Sequence, residues 1–224
     1  SKIKASDWRR VLASERGETI ADDDEDDEVE FYPQRLDPAA HHDLIMTAVQ
    51  GCVEETLKAP DGETVDGVII MAPPGSAKST YSSMLGASYF LGRFPNFNVI
   101  GVSYAQSLAD RFSKRAREIC SRQSYAEKMG ASLVAGSTGV QNWHLTNGSE
   151  FRAAGIQAAV TGFRADLLIC DDPVAGAEEA DSEVIRNKTW ESWQTDITTR
   201  LKPGGKMLVI QTRWHQDDLT GRIV

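Results

Sequence analysis

The chain has 224 residues, of which 41% are hydrophobic, and a formal net charge of −9; this suits one sizeable α/β domain with a buried core. No apolar run approaches the ~18 residues that a membrane-spanning helix needs, and no signal peptide is visible after Ser1. The three cysteines (Cys52, Cys120 and Cys170) are odd in number and far apart, which fits a reducing compartment and speaks against a disulfide framework or a zinc site.

The acidity is concentrated in one run near the start of the chain. Asp22 to Glu30 holds eight acidic residues in nine, which leaves 25 of the 33 acids against 24 bases in the rest. The run predicts a solvated, flexible linker; a contact with a basic partner, or mimicry of nucleic acid, is the alternative. A short helix over 6–16 precedes it, so residues 1–32 are predicted to be an N-terminal arm. The overall acidity does not exclude DNA binding by a local basic surface.

Helical and strand patterns alternate along the rest of the chain. Helices are predicted over 38–58, from the Lys78 loop to about Leu91, over 107–121 and 178–200, and after His215. Strands are predicted over 67–72, 98–103, 140–146, 150–154, around 167–170 and over 206–212, with a turn at 203–205 before the last. This order predicts an α/β fold with a mainly parallel sheet and helices on both faces.

The first predicted strand runs into a loop that resembles a phosphate-binding loop. Such a loop surrounds an anion with backbone N–H groups and a helix N-terminus while a lysine neutralises it, usually in the pattern G-x-x-x-x-G-K-[ST]. Ala72 and Ala77 replace both pattern glycines, but Gly75, Lys78, Ser79 and the flanking strand and helix remain. The predicted phosphate-binding residues are Pro74, Gly75, Ser76, Ala77, Lys78, Ser79 and Thr80.

In this interpretation Lys78 meets the β- and γ-phosphates of a nucleoside triphosphate, and the Ser79 hydroxyl binds Mg²⁺. The alternative is an ordinary strand-to-helix turn with an exposed lysine.

A pair of carboxylates follows the buried run 167–170, a strand that we expect to lie beside the first one. Asp171 is predicted to hold Mg²⁺ through water. Asp172 is predicted to act as the base that polarises the attacking water, although its side chain is one methylene shorter than the usual glutamate. Glu178 or Glu179 can act instead if the chain folds back. The alternative to all of these roles is a strand-end turn with solvated aspartates.

A third strong strand ends in polar residues. Thr212 would lie near the γ-phosphate if this strand is adjacent to that of Asp171, and would sense the phosphate or orient water; a strand-capping hydroxyl is the alternative. The residues after it, His215, Asp217 and Asp218, superficially resemble a metal cluster, but a helix start fits them better.

Several arginines are candidates for contact with a triphosphate. Arg164, on a glycine-containing loop seven residues before the acidic pair, is predicted to be a finger for the γ-phosphate of a neighbouring subunit. Arg152 and Arg200 are its rivals, and a surface arginine or a salt bridge is the alternative. Arg213 can couple the site to motion or pair with an acid such as Asp217.

Together these motifs resemble the ATPase domain of the large terminase subunit of tailed bacteriophages, the motor that packages DNA into proheads. The matching segments are PPGSAKST (73–80), LGRFP (91–95), SYAQSLA (103–109), TGFRADLLICDDP (161–173) and TRWHQDDL (212–219). They span roughly residues 33–224. The combination is specific, whereas the phosphate loop alone is not.

The resemblance implies a P-loop NTPase fold of the additional-strand, RecA-like type over 33–224, hydrolysis of ATP with Mg²⁺, and translocation of double-stranded DNA. It also implies a homo-oligomeric ring, expected to be a pentamer, on a portal protein, with a small terminase subunit as partner, in the host cytoplasm; the isolated domain can be a monomer. Relatives carry a C-terminal nuclease domain. The chain ends at Val224, so no nuclease activity is expected from it.

The resemblance also bears on individual residues. It implies the roles given above for Lys78, Ser79 and the two aspartates, and it places Thr212 in the coupling motif. Thr161 occupies the position where many relatives have an arginine finger, which makes Arg164 a nearby substitute. Relatives contact adenine in the segment that here contains Tyr32, Arg35, His41 and His42.

Two other classes of function remain open. A helicase-like translocase would need a second RecA-like domain, for which the chain has no room. A nucleotide-dependent assembly module would bind ATP without hydrolysing it, because Asp172 would be too short to catalyse. For a translocase, the basic face of the helix over 107–121 is the candidate grip on DNA phosphates, although a solvated helix face is equally compatible; its residues are Arg111, Lys114, Arg115 and Arg117.

Overall fold

The structure, a computed structural model, describes residues 38–158 and 162–224. The predictions for the arm 1–32, its acidic run, Tyr32, Arg35 and Thr161 lie outside the described residues. Within the described ranges, no helix is both long enough and apolar enough to cross a bilayer.

The described residues form an α/β fold. The helices are α1 (Ala40–Val53), α2 (Ala87–Arg93), α3 (Gln106–Cys120), α4 (Gln123–Met129), α5 (Ala177–Asp181), α6 (Glu183–Ser192) and α7 (Leu219–Ile223). The strands are β1 (Gly67–Met71), β2 (Asn98–Ser103), β3 (Asn142–His144), β4 (Glu150–Gly155), β5 (Ala165–Asp171) and β6 (Leu201–Gln211). Two π-helical segments (Thr80–Gly86 and Trp193–Ile197) and a 3₁₀ turn (Thr198–Arg200) complete the set.

The six strands form one sheet in the order β1-β6-β5-β2-β4-β3. Every pair is parallel except β3 with β4. The prediction of a mainly parallel sheet is confirmed. The expectation that the acidic strand β5 lies beside β1 is wrong, because β6 is inserted between them. The inserted strand carries Leu208, Val209 and Ile210, all buried, as a position covered on both faces requires.

Helices cover both faces of the sheet, and each face has its own buried cluster. One cluster joins the sheet to α1, α2, α3 and the first π-helical segment, and includes Trp143 stacked on Phe151 with ring centroids 5.2 Å apart. The other contains Trp193, Ile197 and Leu219 from the segments that follow β5 and β6. The first of these faces carries the phosphate loop.

Three local predictions differ from the structure. The polar helix expected over 178–200 is broken, because Ser182 ends α5 and its hydroxyl accepts from the N–H of Ile185 as the N-cap of α6. Helix α4 was not predicted. Strand β6 begins at Leu201, before the expected turn. The residues of that turn form a bulge, where the register of β6 against β5 shifts and Gly204 has φ of +78°.

Candidate nucleotide-binding site

The residues predicted to bind nucleotide meet at the carboxyl edge of the sheet. Because β1, β6 and β5 are parallel neighbours, their last residues lie at the same edge. The phosphate loop follows β1, Asp171 ends β5, and Gln211 ends β6. Ligands of open parallel sheets bind at this edge, so the topology brings the three motifs to one place.

The loop contains two left-handed residues. Gly75 has φ of +74°, and Ala77 has φ of +54°. Ala77 therefore adopts the conformation that the glycine of the usual pattern provides, at a cost of roughly 1–2 kcal/mol for an L-residue. The side chains of Lys78, Ser79 and Thr80 that follow are buried. Two left-handed residues thus precede the buried Lys78 although the sequence departs from the pattern.

Asp171 is held by two serine hydroxyls. Ser79 donates to its Oδ1 at 3.0 Å, and Ser83, one turn further along, donates to its Oδ2. The carboxylate is 1% exposed. Burial raises its pKa to about 7, the charge of Asp172 adds to this effect, and the hydrogen bonds from Ser83 and Ser79 oppose it.

Asp172 turns out of the strand. Its φ is +46°, its N–H donates to Ile210 O at 2.8 Å, and its carbonyl accepts from Tyr104 N–H at 3.0 Å. In a regular strand the side chains of Asp171 and Asp172 would point to opposite faces. The left-handed residue instead brings Asp172 Oδ2 to 3.8 Å from Lys78 Nζ.

The residues fit a magnesium–nucleotide complex. Ser76 Oγ and Thr80 Oγ1, on either side of Lys78, are buried and have no hydrogen-bond partner among the described residues. Buried polar atoms without partners are rare, and both belong to the loop predicted to bind phosphate, so an anion in the loop would give them an acceptor. The hydroxyl of Ser79 and the carboxylate of Asp171 are the hard oxygen ligands that Mg²⁺ prefers.

The end of β6 lies next to the end of the Asp171 strand, as the interpretation of Thr212 requires. The Thr212 hydroxyl donates to Ala72 O at 3.1 Å, so it ties the tip of β6 to the start of the phosphate loop, as a strand-capping hydroxyl does. The preceding residue, Gln211, is 1% exposed, and neither amide atom has a hydrogen-bond partner among the described residues. Sequence reasoning chose Thr212 and missed Gln211, whose signal was a polar residue directly after the apolar run 207–210.

The segment after Thr212 is a helix start. Asp218 accepts from Gly221 N–H at 2.9 Å and is the N-cap of α7. Arg213 Nε lies 2.8 Å from Asp218 Oδ2, so its acidic partner is Asp218 and not the expected Asp217. Asp217 instead pairs with Arg222 and Arg186.

Comparison with known families shows to which family the chain belongs. Residues 69–223 match the family model described as terminase large subunit, T4likevirus-type, N-terminal. The chain belongs to this family. No curated protein matches the chain.

Two solved structures resemble this terminase domain. One is the crystal structure of the HK97 bacteriophage large terminase, at 18% identity and a TM-score of 0.54, covering 96% of this chain and 40% of that one. The other is a mutant of the Thermus phage P74-26 large terminase ATPase domain, at 18% identity and a TM-score of 0.44, covering 65% of this chain and 58% of that one. The terminase domain described here thus spans less than two thirds of either protein chain.

The arginine candidates of the terminase domain lie away from this edge. Arg164 is exposed and precedes β5, whose seven residues separate it from the carboxyl edge by about 20 Å. Its carbonyl accepts from Asn98 Nδ2 at 3.0 Å. Arg152 lies over the Phe163 ring at 5.5 Å, and Arg200 Nε donates to Asp196 O at 3.1 Å. A finger at Arg164 therefore has to act on another subunit.

The terminase domain places His42 against its phosphate loop. The imidazole stacks on Tyr81 with centroids 4.2 Å apart, and Nε2 lies 3.1 Å from Ser76 O. Ala39 N–H donates to Nδ1 at 3.2 Å, so Nε2 carries the proton and donates to the Ser76 carbonyl. His41 packs beside His42, with centroids 3.9 Å apart. The expected adenine contact stays a prediction for both histidines.

The alternative bases of the terminase domain lie on α5. Glu179 Oε2 accepts from Ala175 N–H at 2.9 Å, so its carboxylate stabilises the start of the helix. Glu178 is exposed. Of the three acids, Asp172 is the one paired with the loop lysine.

Proposed function

We propose that this terminase domain binds ATP with Mg²⁺ at the carboxyl edge of its sheet and hydrolyses it to drive double-stranded DNA into a prohead. The observation that carries the proposal is the meeting of the phosphate loop with the acidic strand, where Ser79 Oγ lies 3.0 Å from Asp171 Oδ1 although 92 residues separate them in the chain. Membership of the large-terminase family supports packaging as the process that the hydrolysis serves.

Each side chain has a role in this proposal. The loop amides and Lys78 bind the β- and γ-phosphates, and Ser79 and Asp171 hold Mg²⁺, Asp171 through water. The bound cation would neutralise charge that develops on the phosphate oxygens. Asp172 accepts a proton from the attacking water, and Thr212 couples the site to β6. The left-handed turn at Asp172 supports its role, because it directs the carboxylate toward the phosphate loop.

The remaining roles need partners. Arg164 is proposed as a finger that acts in trans within a homo-oligomeric ring, and its exposure at the amino edge supports that arrangement. Arg111 and Lys114 are exposed on α3 and are the proposed contacts to DNA phosphates, which makes the grip independent of sequence and sensitive to salt. The ring would work on a portal protein with a small terminase subunit, in the host cytoplasm.

The test is Mg²⁺-dependent ATP hydrolysis measured against protein concentration. The intact chain is compared with Lys78→Ala and Arg164→Ala, and with Lys188→Ala, which removes an exposed lysine of α6, as the control. Turnover that rises faster than linearly and is lost in the first two variants alone supports a motor with a trans finger at Arg164.

Other outcomes separate the alternatives. Activity that is lost with Lys78→Ala but kept with Arg164→Ala retains the ATPase and moves the finger elsewhere. ATP binding without hydrolysis at any concentration favours a nucleotide-dependent assembly module. An absence of ATP binding to the intact chain contradicts the proposal.

A further inference from the structure

We infer that Ser83 is a positioning residue, whose hydroxyl orients the Asp171 carboxylate for Mg²⁺ and so sets the affinity of the site for the cation. The inference rests on the proposed function, because it assumes that Asp171 holds a cation beside a bound nucleotide. Ser83 lies outside the pattern G-x-x-x-x-G-K-[ST], which ends at Ser79.

The two oxygens of Asp171 have different donors. Ser79 donates to Oδ1 and Ser83 donates to Oδ2, so the plane of the carboxylate is fixed at both ends. Ser83 is 3% exposed, and water therefore does not replace it readily. Ser79 is itself a proposed ligand of the cation, whereas Ser83 has no proposed task other than holding the carboxylate.

Neighbouring serines show that this bond is specific to position 83. Ser82 and Ser88 are also buried, but their hydroxyls donate to main-chain carbonyls four residues earlier, Lys78 O at 2.5 Å and Met84 O at 2.7 Å. The bond of Ser82 stays within its own helix, whereas Ser88 also donates to Ala116 O of α3 at 3.2 Å. The hydroxyl of Ser83 instead reaches a carboxylate at the end of another element.

The local helix geometry produces this arrangement. Residues Thr80–Gly86 form a π-helical segment directly after the phosphate loop. Residues four apart lie on the same side of such a segment, so Ser79 and Ser83 both face Asp171. Residues four apart also share a face of a regular helix, so the position of Ser83 one turn after Ser79 is what brings both hydroxyls to Asp171.

The surroundings of Ser83 allow a matched pair of variants. A small cavity between α3 and the sheet is lined by Ser83, Gly101, Phe112, Ile169 and Asp171. An added methyl group at position 83 can enter this space. Ser83→Thr therefore keeps the hydroxyl, and Ser83→Val has the same shape without it.

The experiment measures how strongly Mg²⁺ tightens nucleotide binding. The dissociation constant of a fluorescent, non-hydrolysable ATP analogue is determined in EDTA and in rising Mg²⁺, and the ratio of the two values gives the contribution of the cation. The proteins are the intact chain, Ser83→Ala, Ser83→Thr, Ser83→Val and the control Ser88→Ala, with Lys78→Ala as the reference for lost phosphate binding.

We expect Ser83→Ala and Ser83→Val to reduce the ratio by about 10-fold or more, as loss of a residue that orients a metal ligand does. Their affinity in EDTA stays that of the intact chain, while Ser83→Thr and Ser88→Ala keep the ratio. If Ser83→Ala does not fold, the comparison of Ser83→Thr with Ser83→Val gives the answer.

Three results overturn the inference in distinguishable ways. If Ser83→Val keeps the full ratio while Lys78→Ala loses binding, the proposed function stands and the role of Ser83 is wrong. Loss of affinity in EDTA that equals the loss in Mg²⁺ shows a structural effect and also overturns it. If the intact chain does not bind the analogue in either condition, the proposed function fails and the inference fails with it.

Discussion

Lys78 Nζ lies 3.8 Å from Asp172 Oδ2, so the loop lysine and the proposed base form an ion pair across the carboxyl edge of the sheet. Lys78 is expected to act on the γ-phosphate through its charge, and Asp172 to accept a proton from the attacking water. A triphosphate that binds at this edge competes with Asp172 for the lysine. We expect binding to weaken this ion pair.

The ion pair leads to a prediction for Asp172→Asn. Asparagine tolerates left-handed backbone, so the turn should survive while the negative charge is removed. We expect ATP to bind at least as tightly, because the lysine loses its competing partner, and turnover to fall about 10²–10⁴-fold, as it does when a general base is lost. Equilibrium binding and steady-state hydrolysis measure the two effects. Turnover close to that of the intact chain would move the base elsewhere, with Glu178 the next residue to vary.

The strained loop residue gives a prediction on stability. Ala77→Gly should raise the free energy of unfolding by about 0.5–1 kcal/mol, because relief of the left-handed alanine outweighs the greater entropy of glycine in the unfolded chain. Ala126→Gly, at a half-buried position in the middle of α4, should lower it by about 1 kcal/mol. Urea denaturation monitored by circular dichroism measures both. Equal losses in the two variants would mean that φ at position 77 carries no strain.

The buried amide of Gln211 predicts opposite effects on stability and activity. Gln211→Leu removes two polar atoms that have no partner among the described residues, and each such atom costs about 1–3 kcal/mol when buried unpaired. We therefore expect an unfolding temperature that is unchanged or higher. If the amide meets water or phosphate during the reaction, turnover should fall at least tenfold; turnover that stays the same would assign Gln211 to the fold alone.

Asp217 predicts a pH dependence of stability. Hydrogen bonds from Arg222, supported by Arg186, lower the pKa of Asp217 to about 2. A depressed pKa in the folded state contributes stability that is fully present above the unfolded value of about 4 and is lost as the pH falls through the folded value. Asp217→Asn should thus melt at a lower temperature than the intact chain from pH 7 to about 4, and the difference should vanish near pH 2.

Thermal scans over this range test the prediction, with Asp181→Asn, an exposed acid of α5, as the control. A difference in melting temperature that persists at pH 2 would show that the amide disturbs packing, and that the ion pairs are not its cause.

Some elements were predicted correctly because a short stretch of sequence is enough to define them. Strand β2 has the predicted bounds, 98–103, because its apolar run lies between clear breakers, and the acidic pair was correctly placed at the end of a buried strand. The insertion of β6 between β1 and β5 depends on pairing between strands that lie far apart in the chain, which no local pattern encodes. The sequence does not distinguish Ser83 from other helical serines. Its bond to Asp171 depends on how the segment Thr80–Gly86 packs against the end of β5.

Gln211 was not singled out from the sequence for a different reason. The sequence placed a polar group at the end of β6 but did not show where the last strand residue ends and the capping residue begins. A one-residue difference in a strand reverses the face to which a side chain points. The sequence alone therefore does not show which of two adjacent residues faces the site.

The bond from Thr212 to Ala72 makes the tip of β6 and the root of the phosphate loop one mechanical unit. The next residue, Arg213, forms an ion pair with Asp218, the N-cap of α7. Asp217 in turn connects α7 to α6, because it accepts hydrogen bonds from Arg222 of α7 and Arg186 of α6. A displacement of the loop would therefore pull on two helices of the opposite face without passing through the hydrophobic core. Polar contacts thus connect the phosphate loop to both helices by a route separate from the buried clusters.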